Sequence, residues 1–147
     1  MDLVEARAWL RERIEEGARC PCCTQFAKVY KRRITASSAA ALIRLYRAAG
    51  TEFAHWPTVN RGFRADECKM EYWGLVEEAS IPREDGGRAG WWRVTDAGAD
   101  WVTGRSSVPK YARIFDSKCL GLVGADVTIR DALGVKFNYN ELMNGEG

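Results

Sequence analysis

The chain has 147 residues, a formal net charge of +2, 46% hydrophobic and 29% charged residues, enough for one ordinary core and too short for two independent domains of average size. One domain is expected. The longest apolar runs, such as residues 38–43, fall well short of the roughly 18 residues of a membrane span, and the first residues are acidic where a signal peptide is basic, so no membrane partner and a cytoplasmic location are expected.

In chain order, Asp2 followed by Glu5 forms a capping-box start, and Leu3, Ala6, Leu10 and Ile14 then fall on one helical stripe ending near Gly17. Residues 20–24 form a turn around Pro21. Residues 26–34 are short and basic, and alternation at Val29, Lys31 and Arg33 competes there with a helical pattern. Ser37 or Ser38 is expected to cap a second helix running to Ala49, with Leu42, Leu45, Tyr46 and Ala49 on its apolar face and Gly50 as its left-handed stop. Residues 52–62, broken by Pro57 and Gly62, read as a connector or short strand with room for a single helical turn.

A third helix is expected over residues 64–73, burying Met70 and Trp73 and ending at Gly74. Residues 75–80 and 91–94 then read as two strands around a polar turn at 82–90, followed by a helix capped by Thr95 and ending near Val102. Trp91 and Trp92, adjacent on a strand, must point to opposite faces, one into the core. Beyond Val108, alternation of Tyr111, Arg113 and Phe115, and again over residues 120–129, predicts a second hairpin. Phe137, Tyr139, Leu142 and Met143 form an apolar tail that must be covered by the helices or by a second copy, which makes a homodimer an expectation.

Charge is unevenly spread. No Asp or Glu occurs over residues 17–51, which hold Arg19, Lys28, Lys31, Arg32, Arg33, Arg44 and Arg47. Such a segment fits a salt-dependent phosphate-binding surface, and equally a solvated face paired with the acidic N-terminal helix.

The segment Tyr72-Trp73-Gly74-Leu75-Val76-Glu77, with Trp92-Arg93-Val94-Thr95-Asp96-Ala97-Gly98, resembles the winged helix-turn-helix family, in which a recognition helix ends in Gly-Leu-Val and the second wing strand closes in Leu-Thr-x-x-Gly. The resemblance is close over about a third of the chain. As a whole the chain is also similar to small bacteriophage and prophage proteins of unassigned role. It departs from the family pattern in two ways: the helix before the recognition helix is reduced to at most one turn, and the recognition segment carries Asp66, Glu67 and Glu71 against Arg64 and Lys69.

The implied architecture is α+β: a winged helix-turn-helix core over residues 37–104, an added N-terminal helix and cysteine turn over 1–36, and a C-terminal β-hairpin and tail over 105–147. The implied function is non-catalytic DNA binding by a phage-type regulator or accessory factor. Its expected contacts are Lys28, Lys31, Arg32, Arg33, Arg61, Arg64, Lys69, Arg83 and Arg88. The alternative is a protein-interaction module, docking a host protein or itself on a winged-helix scaffold without DNA.

Five cysteines is an odd number, and three crowd into Cys20, Cys22 and Cys23, which fits thiols or metal ligands better than a disulfide framework. Cys20-Pro21-Cys22-Cys23 has the spacing of half a zinc knuckle. Cys20, Cys23, His55 and Cys68 form the candidate zinc set, against a reading in which Cys68 is a core thiol and His55 a loop residue. With a single histidine, no nucleophile elbow and no glycine-rich phosphate loop, enzymatic activity is not expected.

Overall fold

The computed structural model describes residues 1–63, 70–80 and 90–145. It is a mixed α+β protein with open sheets, and it divides into two compact units. The first comprises residues 1–33 and 111–123; the second comprises residues 34–110 and 124–147. No helix among the described residues is long and apolar enough to cross a membrane.

The first unit opens with helix α1, Leu3–Arg13. Asp2 accepts from the Glu5 amide at 2.8 Å while Glu5 accepts from the Asp2 amide at 3.4 Å, so the capping box is complete and two otherwise orphaned donors are satisfied. The apolar stripe begins one turn later than its sequence pattern: Ala6 is buried, whereas Leu3 remains 58% exposed. Strands β1 (Ala18–Arg19) and β2 (Phe26–Ala27) pair as an antiparallel hairpin. Gly17 precedes it at φ +95°, a backbone conformation that favours glycine, and a Cβ there would sit 2.6 Å from Phe26 Cζ and push the exposed ring aside. The basic segment resolves as strand: β3 spans Tyr30–Arg33. It pairs antiparallel with β7 (Val108–Phe115), placing Lys31 opposite Arg113 and Arg33 opposite Tyr111. Strand β8 (Lys118–Val127) completes the order β3-β7-β8. Asp116 and Ser117, at φ +50° and +63°, make the two-residue turn between β7 and β8, the positive-φ pair that matches strand twist in a type I′ hairpin.

The second unit is built around α2, Ala36–Ala49. Its cap is Thr35, whose hydroxyl accepts from the Ser38 amide at 3.1 Å. Ser37 and Ser38 therefore lie inside the helix rather than at its start, and Gly50 closes it at φ +59°. Ala39, Ala40, Ala41, Leu42, Ile43 and Leu45 are all fully buried; the run of small side chains lets neighbouring elements approach the helix from several sides. Strand β4 (Ala54–His55) leads into a single turn, α3 (Trp56–Val59), which Pro57 opens rather than breaks, because a proline in the first turn has no amide to lose.

Of the expected third helix, residues 64–69 lie outside the described residues, as do 81–89 of the following turn. Met70 is fully buried, Glu71–Trp73 form a 3-10 turn, and Gly74 ends it at φ +71°. Strands β5 (Val76–Glu78) and β6 (Trp91–Val94) pair antiparallel, and β6 lies between β4 and β5. Trp92 is buried and Trp91 half-buried, as alternation requires. Thr95 caps α4 (Asp96–Val102) by accepting from the Gly98 amide at 3.1 Å, and donates to the Gly74 carbonyl at 2.6 Å.

The tail folds back within this unit. Helices α5 (Ile129–Leu133) and α6 (Tyr139–Met143) pack on α2, burying Ile129, Leu133 and Leu142. Tyr139 donates to the Val102 carbonyl at 2.7 Å and Lys136 to the Ser37 hydroxyl at 3.1 Å. The indole N–H groups of Trp73 and Trp101 donate to the carbonyls of Pro109 and Val127 at 2.7 and 3.1 Å, tying the ends of the long strands to this core.

Candidate nucleic-acid interface

Strand β3 stands at the edge of its sheet with all four side chains, Tyr30, Lys31, Arg32 and Arg33, exposed. Cross-strand partners share a face, so Lys31 and Arg33 lie with Arg113 and Tyr111, whereas Tyr30 and Arg32 lie with Ile114 and Ala112. Arg113 is ion-paired with Glu15. Among the described residues Lys31, Arg32 and Arg33 have no carboxylate partner, so three cations are displayed on three consecutive residues. Charged edge residues also block edge-to-edge pairing of sheets, a structural service that does not require three in succession.

Beside this strand the first unit carries exposed aromatic surface. Phe26 and Tyr30 are 57% and 55% exposed, and Lys28 Nζ stands 5.4 Å from the centroid of the Tyr30 ring. These residues line a cleft of about 380 Å³ together with Gln25, Phe115, Asp116, Leu10 and the thiol-bearing Cys20 and Cys23. Phe26, Tyr30, Phe115 and Arg113 were not singled out as site residues from sequence. The signal available was the alternation over residues 111–115 and the placing of two aromatics among basic residues at 26–33.

The thiols are organised by the hairpin. Cys20 donates its amide to the Gln25 carbonyl at 2.8 Å and accepts from the Thr24 amide at 2.9 Å, with Thr24 at φ +64°. This folding turns the amides of Cys23 and Cys22 toward the Cys20 sulfur, and those hydrogen bonds, with Cys23 dominant, lower the Cys20 pKa below that of an ordinary thiol. His55 belongs to the second unit, where its Nδ1 lies 2.7 Å from the Thr58 hydroxyl and its ring lies 5.5 Å from that of Trp91. Cys68 lies outside the described residues. No group of three or more His, Cys, Asp or Glu side chains suited to a metal occurs among the described residues.

No protein-family model, curated protein or solved structure matches this chain. The assignment of a role therefore rests on the side chains themselves. Lys28, Lys31, Arg32 and Arg33 fall together in the first unit, and Arg61 is exposed in the second just after α3. Arg64, Lys69, Arg83 and Arg88 lie outside the described residues. Arg44, counted by sequence among the surface charges, is half-buried. Its guanidinium carbon stacks 3.6 Å from the centroid of Phe63, Phe137 lies on it at 5.9 Å, and Nη1 reaches Asn60 Oδ1 at 3.5 Å. Burial lowers its pKa, yet a guanidinium stays charged, so Arg44 serves the packing of the fold rather than the exposed charge of the acid-free segment.

Proposed function

We propose that the protein binds nucleic acid without catalysis, as a DNA-binding accessory or regulatory factor of phage type. The observation that carries this reading is the run of three cations, Lys31-Arg32-Arg33, exposed on an edge strand without a carboxylate partner among the described residues and close to two exposed aromatic rings, Phe26 and Tyr30. A cationic edge gives sequence-independent affinity by releasing counterions from phosphates. A winged helix-turn-helix variant is the reading adopted for the second unit. Its support is the order of α2, β4, α3, the turn ending at Gly74, β5 and β6, with β6 lying between β4 and β5, and the capping of α4 by Thr95 directly after the hairpin. The cysteine turn is read as half of a zinc site, supplying Cys20 and Cys23.

The test is a salt titration of binding to duplex and single-stranded oligonucleotides. Affinity that falls steeply with salt supports the reading; a flat dependence, or no binding near physiological ionic strength, overturns it. The rival reading, a protein-interaction module, draws on an open cleft of about 640 Å³ in the second unit, lined by Ala48, Ala49, Phe53, His55, Val59 and Trp91. It gains if nucleic acid fails to bind.

A further inference from the structure

We infer that the cleft of the first unit receives an unpaired nucleobase from a single strand, with Tyr30 as its stacking platform and Lys28 and Arg32 gripping the phosphates on either side. This rests on the nucleic-acid reading and specifies which form of nucleic acid is bound. Three aromatic rings, Phe26, Tyr30 and Phe115, line the cleft, and at about 380 Å³ it falls at the small end of ordinary ligand pockets, roughly 300–1,000 Å³. A planar base fits those dimensions; a base held inside a duplex cannot enter. Aromatic faces accept any base, because every base presents a π-face.

The charges are arranged for a strand rather than for a free nucleotide. Lys28 Nζ stands over the Tyr30 ring, 5.4 Å from its centroid, where an arriving base would displace it toward a phosphate. Arg32 lies on the same face of β3 as Tyr30, two residues and so roughly 6.5 Å further along, and is exposed. An aromatic ring with a cation before it and one after it matches a stacked base with a phosphate on each side. Gln25 and Asp116 supply the polar lining at which a base edge can form hydrogen bonds.

The experiment measures binding of the whole protein to ten-nucleotide deoxy and ribo strands, to the matching duplexes and to an abasic deoxy strand, with ultraviolet crosslinks to thymine or uracil mapped by mass spectrometry. Expected are single strands binding more tightly than duplexes and than the abasic strand, by about tenfold or more per stacked base, and crosslinks on Phe26, Tyr30 or Phe115. The ribo and deoxy arms identify which strand is preferred. Tyr30→Leu is expected to lose the advantage over the abasic strand, and Tyr30→Phe to retain it, a pairing that separates stacking from any effect on folding. Equal, salt-dependent affinity for the normal and abasic strands, or crosslinks confined to the second unit, overturns the base pocket while leaving the nucleic-acid reading standing. No salt-dependent binding to any of these oligonucleotides overturns both.

Discussion

Gly98 sits so close to Leu75 that a Cβ on it would collide with the Leu75 carbonyl oxygen and lie 2.8 Å from Val94 Cγ1. The glycine is thus what lets α4 lie against the backbone entering β5, and it explains the glycine three residues after Thr95 in physical terms. Gly98→Ala is expected to destabilise the protein by roughly 1–3 kcal/mol through overpacking, more than the gain of up to about 1 kcal/mol in helix propensity. Urea denaturation checks this: the midpoint falls while the slope is unchanged.

Salt dependence separates the displayed arginines from the packed one. Lys31→Ala, Arg32→Ala and Arg33→Ala are each expected to reduce the slope of log affinity against log salt by about 1. Arg44→Ala is expected to leave that slope unchanged and to lower stability by about 1–2 kcal/mol, because it loses its stacking on Phe63 and the packing of its aliphatic stem. A slope change for Arg44→Ala equal to those of the strand residues would contradict its placement in the fold.

The lowered pKa of Cys20 keeps a larger thiolate fraction at neutral pH, and the thiolate is the nucleophile. Iodoacetamide is expected to label Cys20 already at pH 7, with a pH midpoint below that of a free cysteine. Peptide mapping over a pH series reads both. If the turn is half of a zinc site, added zinc protects Cys20 and Cys23 together, and elemental analysis of purified protein finds the metal; Cys20→Ser then abolishes both signals.

Asp131 accepts from the Thr128 amide at 3.0 Å while Thr128 accepts from the Asp131 amide at 3.2 Å, and the first of these bonds holds the carboxyl below the usual aspartate range. A depressed folded value means that the group contributes stability above roughly pH 4, and that this contribution fades as pH falls through the folded value. The stability difference between the natural protein and Asp131→Asn is therefore expected to be constant near neutrality and to shrink on acidification, as measured by denaturation at stepped pH.

Features governed by near neighbours were legible in the sequence. The Asp2–Glu5 box, the stop at Gly74, the Thr95 cap and the opposed faces of Trp91 and Trp92 depend only on residues a few positions away. The cap of α2 is Thr35 rather than Ser37 or Ser38, and only the backbone shows which oxygen reaches the amide of residue 38. The strand character of Tyr30–Arg33 depends on β7, far along the chain. Arg44 looked like surface charge because Phe63 and Phe137, which cover it, come from distant segments. For the same reason the cleft of the first unit is not legible in the sequence: Phe26 and Phe115 become its lining only once the hairpin and the long strand are in place.

Because β3 bonds to a partner about eighty residues downstream, the first unit cannot be completed as it leaves the ribosome. Its basic strand waits, unpaired, until residues 111–114 have been synthesised, and the loop to be closed contains the larger of the two segments of the second unit, residues 34–110. Closing so long a connection is slow when the intervening chain is loose. Partial ordering of that intervening segment would shorten the search, so assembly order, rather than local helix strength, governs how soon the cationic edge takes its place in the sheet.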